Sequence, residues 1–227
     1  MDNPFLQAVR LIVSGDREIY LIVLTSLRLS LTSTAITGVV TVPLGILLRF
    51  AAFPLKRAVV AVLNALMALP TVVVGLFVYS LLSRSGPLGS LNLLFTPAAI
   101  VAGQVVLSLP IILSLVYSGL SKLDDRFQET LVTLGAKKGN MVRAAIVEGR
   151  FVIISALLAG FGRVLGEVGI SMMLGGNIRF YTRTMTTTIA LETSKGEFES
   201  GLALGFILMI LALVINGILH YAVRHDR

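Results

Sequence analysis

KLDDRFQETLVTLGAKKGNMVRAAIVEGR, residues 122–150, is a long polar stretch in a chain that is otherwise oily. It carries six of the nineteen Lys and Arg residues and four of the twelve acids. It is too long for a tight turn and too regular for a disordered linker. Glu129, Leu131 and Leu134 fall on a short amphipathic helix. Gly135 follows as its C-cap, where glycine adopts the left-handed conformation at little cost. A second helical run, Asn140 to Glu148, leads into the next apolar segment. A basic helical loop between two oily runs is a surface for contact in the cytoplasm, and the runs on either side of it decide the fold.

Of the 227 residues, 56% are hydrophobic and 14% are charged, and the mean hydropathy is +0.91. A soluble domain carries about 25% charged residues, so this composition defines an all-α, polytopic membrane protein. The net charge of +7 does not point to nucleic acid. No basic face carries interleaved aromatics, and basic residues collect in the cytoplasmic loops of membrane proteins. The absence of cysteine excludes a disulfide framework, thiol catalysis and a zinc-thiolate site. No cleaved signal peptide is expected, because the first 18 residues lack a basic-apolar-cleavage pattern.

About five transmembrane helices are expected: Ile19–Phe50, Ala58–Leu82, Pro97–Leu120, Phe151–Leu174 and Gly201–Val223. Phe5–Val13 is too short to span and is expected on the membrane surface. The loops 49–57 and 122–150 and the C-terminal tail hold eleven Lys and Arg, against six in the N-terminus and the loops 83–96 and 175–200. The positive-inside rule then sets the N-terminus outside and the C-terminus in the cytoplasm of a multi-pass protein of the cell membrane.

Pro70 and Pro110 sit near the middle of their spans, each after a leucine. Each removes a backbone hydrogen bond and is expected to kink its helix. They read either as bends lining a pathway or as ordinary prolines of membrane helices. Arg163 and Glu167 lie four apart in the fourth span and share a helical face. They either neutralise each other or hold Arg163 toward a conduit for an anion, since an intramembrane charge costs at least about 2.5 kcal/mol. Arg28 is a second pathway candidate, or an interfacial residue that snorkels. Gly162-x-x-x-Gly166 reads as a close-packing surface. The outer loop 175–200 is rich in donors, among them Arg179, Arg183, Thr186 and Thr187. It reads as a gate or docking surface beside an anion pathway, or as a solvated closure of the fold. No catalytic, phosphate-binding or metal-ligating motif is present, so no catalytic residue and no metal site is expected on this chain.

Glu129-Thr-Leu-x-x-x-Gly135 resembles the Glu-Ala-Ala-x-x-x-Gly motif of permease subunits in binding-protein-dependent ABC importers. The resemblance implies a cytoplasmic coupling helix, with Glu129, Leu131, Leu134, Gly135 and Ala136 docking in an ATPase subunit. The family pattern continues to Ile-x-Leu-Pro, but here reads Ala145, Ile146, Val147 and Glu148, without the proline. ALPTVVVGLFVYSLLSRSGPLG, FTPAAIVAGQVVLSLPI, GFGRVLGEVGISMMLGGNI and TRTMTTTIALETSKGEFE look like the permease of tungstate importers, within the molybdate, tungstate and sulfate group.

The resemblance covers residues 17–220 and implies a type I importer permease fold of the MetI-like kind, with 1–227 a single domain and 121–150 its coupling loop. It implies a homodimer, two cytoplasmic ABC ATPase subunits that use ATP and Mg2+, and an extracytoplasmic oxyanion-binding protein. This chain would bind no cofactor. The expected function is passage of an oxyanion, tungstate first, across the bilayer. A molybdate or sulfate permease of the same architecture and an ATP-independent anion channel or carrier are the alternatives.

Overall fold

The computed structural model describes residues 4–122, 133 and 138–224. Ten α-helices are defined among them, and no strand. α1 (Pro4–Val13) is the short N-terminal helix, packed on the last helix of the chain. α2 (Arg17–Phe50) is capped by the carboxylate of Asp16, which accepts from the amides of Glu18 and Ile19. It runs unbroken through Pro43. At about 1.5 Å per residue its 34 residues reach about 51 Å, well beyond the roughly 30 Å hydrocarbon core.

The second expected span is not one helix. α3 (Lys56–Leu66) and α4 (Thr71–Leu82) are turned 98° from one another. Pro70 therefore does not bend a continuous helix. It stands at the N-cap of α4 in extended backbone (φ −61°, ψ 130°) and ends the helical path. Lacking an amide hydrogen, it cannot continue the ladder, and it disfavours helical backbone at Leu69. Pro110 behaves differently. α5 (Pro97–Leu120) continues through it, and the ring is buried.

α6 (Lys138–Glu148) meets α7 (Arg150–Leu165) at a bend of 72°. The elbow is Gly149, where an added Cβ would lie 2.3 Å from Leu120 and 2.7 Å from the carbonyl oxygen of Ala145. The fourth expected span is also broken. α7 stops at Leu165, residues 166–168 leave the helix, and α8 (Gly169–Gly175) resumes it. The outer loop contains α9 (Met185–Lys195), opened by a reciprocal Thr184–Thr187 capping box and closed by left-handed Gly196. α10 (Phe198–Arg224) is the last span.

Between Ser26 and Thr41 the inner face of α2 is lined mainly with small hydroxyls. Ser33 bonds to the Gln104 side chain at 2.9 Å, and Thr37 to Ser108 at 2.9 Å. Gln104 also donates to the carbonyl of Val164, so one buried amide ties α2, α5 and α7 together. Close approach is made by Gly38, Gly45, Gly103 and Gly160, whose missing Cβ positions lie 2.5–2.7 Å from neighbouring side chains. Gly162 and Gly166, the pair read as a packing motif, face outward and pack on nothing closely within the chain. In lipid, where burial of hydrocarbon does not favour one helix pairing over another, such small-residue contacts and hydrogen bonds set the association.

Candidate functional site

The break in the fourth span is built around Glu167, whose side chain is 4% exposed. Its Oε2 accepts from Arg163 at 2.9 Å, and its Oε1 accepts from the amides of Gly169 (2.9 Å) and Ile170 (3.3 Å). The carboxylate thus pairs the arginine and caps the start of α8 together. The sequence expectation of an ion pair within one helix is corrected in part: the pair forms, but Glu167 lies beyond the helix end. The chain turns out of the helix there because Gly166 and Gly169 flank the site and weaken helical continuity. Freed carbonyls are satisfied by protein, as a break at membrane depth requires. Thr186 donates to the Glu167 carbonyl at 2.9 Å, and Gln104 to that of Val164.

The two breaks adjoin. A Cβ at Gly169 would lie 3.6 Å from the hydroxyl of Thr71 and 3.6 Å from Val72. The N-terminus of α4 therefore meets the N-terminus of α8 beside Glu167. The partial positive charge of the α8 N-terminus and the charge of Arg163, whose side chain is 42% exposed, are both met by the Glu167 carboxylate, while the α4 N-terminus has no side-chain cap. An apolar cavity of about 430 Å³ is lined by Leu66, Leu69, Val73, Phe77 and Pro110, so Pro110 faces residues on either side of the break that Pro70 makes.

The other sequence candidates are spread out. Arg28 lies on the exposed face of α2 with Leu24 and Leu31, opposite the hydroxyl face. Arg183 is largely enclosed and pairs with Glu18 at 3.5 Å. Thr187 is buried, shares the capping box with Thr184 and bonds to Asn177. Arg179 forms a two-point ion pair with Glu18, which raises the arginine's pKa further above its usual value. Glu129, Leu131, Leu134, Gly135 and Ala136 lie outside the described residues. Gln104, Thr71 and Glu18 were missed by sequence reasoning. Gln104 had one signal, an amide alone in an apolar run, and the other two had none.

A bundle of apolar helices with two adjoining broken spans and a charged pair at their junction is the architecture of a polytopic membrane protein. Residues 41–225 match the family described as binding-protein-dependent transport system inner membrane component, and the chain belongs to it. The tungstate uptake system permease protein TupB of Peptoclostridium acidaminophilum is 38% identical over 216 residues, covering 95% of each chain. The molybdenum transport system permease protein ModB of Azotobacter vinelandii is 29% identical over 199 residues, covering 82% of this chain and 88% of its own. The fold matches the inward-facing MetNI methionine ABC transporter over the whole of both chains, with a TM-score of 0.72 at 18% identity. The MetI-like, all-helical fold is therefore shown.

Proposed function

We propose that this chain is the membrane-spanning subunit of an ABC importer for an oxyanion, with tungstate as its cargo. The observation that carries the reading is the 38% identity to a tungstate uptake permease along nearly the full length of both proteins. The lower identity to the molybdenum permease favours tungstate over its closest chemical rival. The geometry is compatible with the cargo. A tetrahedral dianion needs positive potential and hydrogen-bond donors along its route without being held tightly. Half-helix N-termini at a break are one way discontinuous spans provide this, and here the uncapped N-terminus of α4 and the partly exposed Arg163 are the groups that would offer it. Arg163, at the meeting of α4 and α8, is the residue assigned to the route, with Glu167 fixing its position. Arg28 would attract the anion at the outer boundary, and Arg183, Thr186 and Thr187 would shape the outer wall.

Energy would come from separate ATPase subunits hydrolysing MgATP in the cytoplasm. Residues 121–150 would form the coupling loop, with Glu129, Leu131, Leu134, Gly135 and Ala136 at the contact. The rigid turn at Gly149 would pass their movement into α7. Two copies of the chain would enclose the pathway, with the N-terminus outside and the C-terminus in the cytoplasm. An extracytoplasmic binding protein would deliver the anion.

The test is the tungsten and molybdenum content of cells with and without the gene, by mass spectrometry, at nanomolar supply of both. Loss of tungsten alone is the expected result. Loss of both would make this a general molybdate and tungstate importer. No change in either would overturn the oxyanion assignment for these two anions and make sulfate the next candidate.

A further inference from the structure

The peptide that carries Glu167 is held from the outer loop. The hydroxyl of Thr186, in the first turn of α9, donates to the Glu167 carbonyl at 2.9 Å. Thr186 is 5% exposed, and its hydroxyl also lies 3.1 Å from that of Thr184. A hydroxyl has one proton to give. Thr186 gives its proton to Glu167, so Thr184 is the donor between the two threonines. The oxygen of Thr184 in turn accepts from the amide of Thr187 at 3.3 Å. The direction of the chain is thereby set: the Thr187 amide to Thr184, Thr184 to Thr186, and Thr186 to Glu167. Each donation polarises the next hydroxyl and strengthens the last bond. Thr186 has no proton left for a passing anion.

The start of α9 has a second foot. The amide of Met185, a fully buried residue, donates to the Ser26 hydroxyl of α2 at 2.8 Å. Residues 184–186 therefore form a strut from α2 to the break in the fourth span. A threonine needed only to close the turn of α9 would bond within it, as Thr188 does on the Thr184 carbonyl at 2.7 Å. Thr186 reaches another element instead.

The strut ends on a residue tied at every polar group. The Glu167 amide donates to the Val164 carbonyl at 3.2 Å. Its carboxylate holds Arg163, Gly169 and Ile170. The place of the Glu167 peptide thus decides where the carboxylate stands, and so where Arg163 presents the donors that Glu167 does not use.

We propose that Thr186 is a positioning residue for transport, which acts through the Glu167 peptide to orient Arg163 toward the anion, with Ser26 seating the strut on α2. The proposal rests on the assignment of Arg163 to the route. It links the outer loop to the charged pair by a contiguous set of hydrogen bonds rather than by contact with the cargo.

The experiment measures tungsten uptake by the full transporter in cells, per transporter in the membrane. Tungstate is saturating, so that capture of the anion outside the membrane does not limit the rate. Thr186→Val keeps the side-chain shape and removes the hydroxyl. It is expected to lower uptake at least about fivefold, and Thr186→Ser to return it to within about twofold of native. Arg163→Gln is expected to lower uptake as well. In that background Thr186→Val should add less than about twofold, because the group it positions is gone. Effects that multiply, or native uptake by Thr186→Val, would overturn the positioning role and leave Arg163 on the route. Native uptake by Arg163→Gln would remove Arg163 from the route and the positioning role with it. No tungsten uptake by the native transporter would remove the importer reading and the proposal together.

A second variant guards against misfolding. If Thr186→Val does not reach the membrane, Ser26→Ala decides. It removes the foot of the strut on α2 and leaves the Thr186–Glu167 bond. It is expected to lower uptake at least about fivefold with Arg163 present and less than about twofold in the Arg163→Gln background. Native uptake by Ser26→Ala in that case would overturn the proposal.

Discussion

Removing the guanidinium of Arg163 leaves Glu167 with a buried carboxylate that still holds the amides of Gly169 and Ile170. Arg163→Ala is therefore expected to cost about 1.5–3 kcal/mol, since a charged hydrogen bond is lost while two others remain. Glu167→Ala loses all three bonds and is expected to cost more. The double variant should recover about 1 kcal/mol of coupling relative to the sum of the single changes. It should not return to native stability, because the cap of α8 is gone. Unfolding titrations of the four proteins in mixed micelles give the cycle. Strict additivity would show that the pair contributes nothing. Sequence spacing made the pair legible, because residues four apart on a helix face the same way. It did not reveal the cap, which exists only because the helix stops two residues before Glu167.

Gly149 is the element-level counterpart. Its φ of −84° suits any residue, so glycine is present for space rather than for conformation. The Ala145 carbonyl and Leu120 occupy the place of a Cβ. Leu120 can move, but the carbonyl belongs to α6 and cannot move without opening the elbow. Gly149→Ala is expected to cost about 1–3 kcal/mol, as overpacking does. It should also widen the 72° bend, read as a changed distance between spin labels at Asn140 and Ser155. An unchanged distance with native stability would show that the elbow tolerates the methyl. The contrast between Pro70 and Pro110 belongs here too. Each follows a leucine in an apolar run, yet one ends a helix and the other lies inside one. α5 is enclosed by α2, α4, α7 and α8, whose packing holds it helical across the missing bond. α3 has no buried residue to hold it in line with α4.

For the assembled transporter, the proposed coupling loop makes the simplest prediction. Gly135→Leu is expected to release the ATPase subunits from detergent-extracted complexes, with at least about a tenfold loss of co-purification, while the permease stays in the membrane. The reason is that, if Gly135 makes the left-handed turn expected from the sequence, a leucine resists it by about 1–2 kcal/mol. Normal co-purification and normal tungsten uptake in that variant would place the contact elsewhere. The paired breaks gain their meaning at this scale as well. Neither half-span alone presents more than a helix end, but together α4 and α8 set two N-termini beside the Arg163–Glu167 pair.

Composition and hydrophobic run length were enough to establish a helical membrane protein with three to five apolar spans. Those properties depend on transfer of side chains into lipid, which is nearly additive along a chain. The break between α3 and α4 was half legible, since Pro70 marked the place but not the 98° turn. The meeting of that break with the one at 166–168, the three-helix bridge of Gln104 and the tie from Glu18 to Arg179 depend on contacts between residues far apart in sequence. Hydropathy carries no information about such contacts. They were decided by which helices could approach closely, at Gly38, Gly45, Gly103 and Gly160, and by where buried polar atoms then found partners.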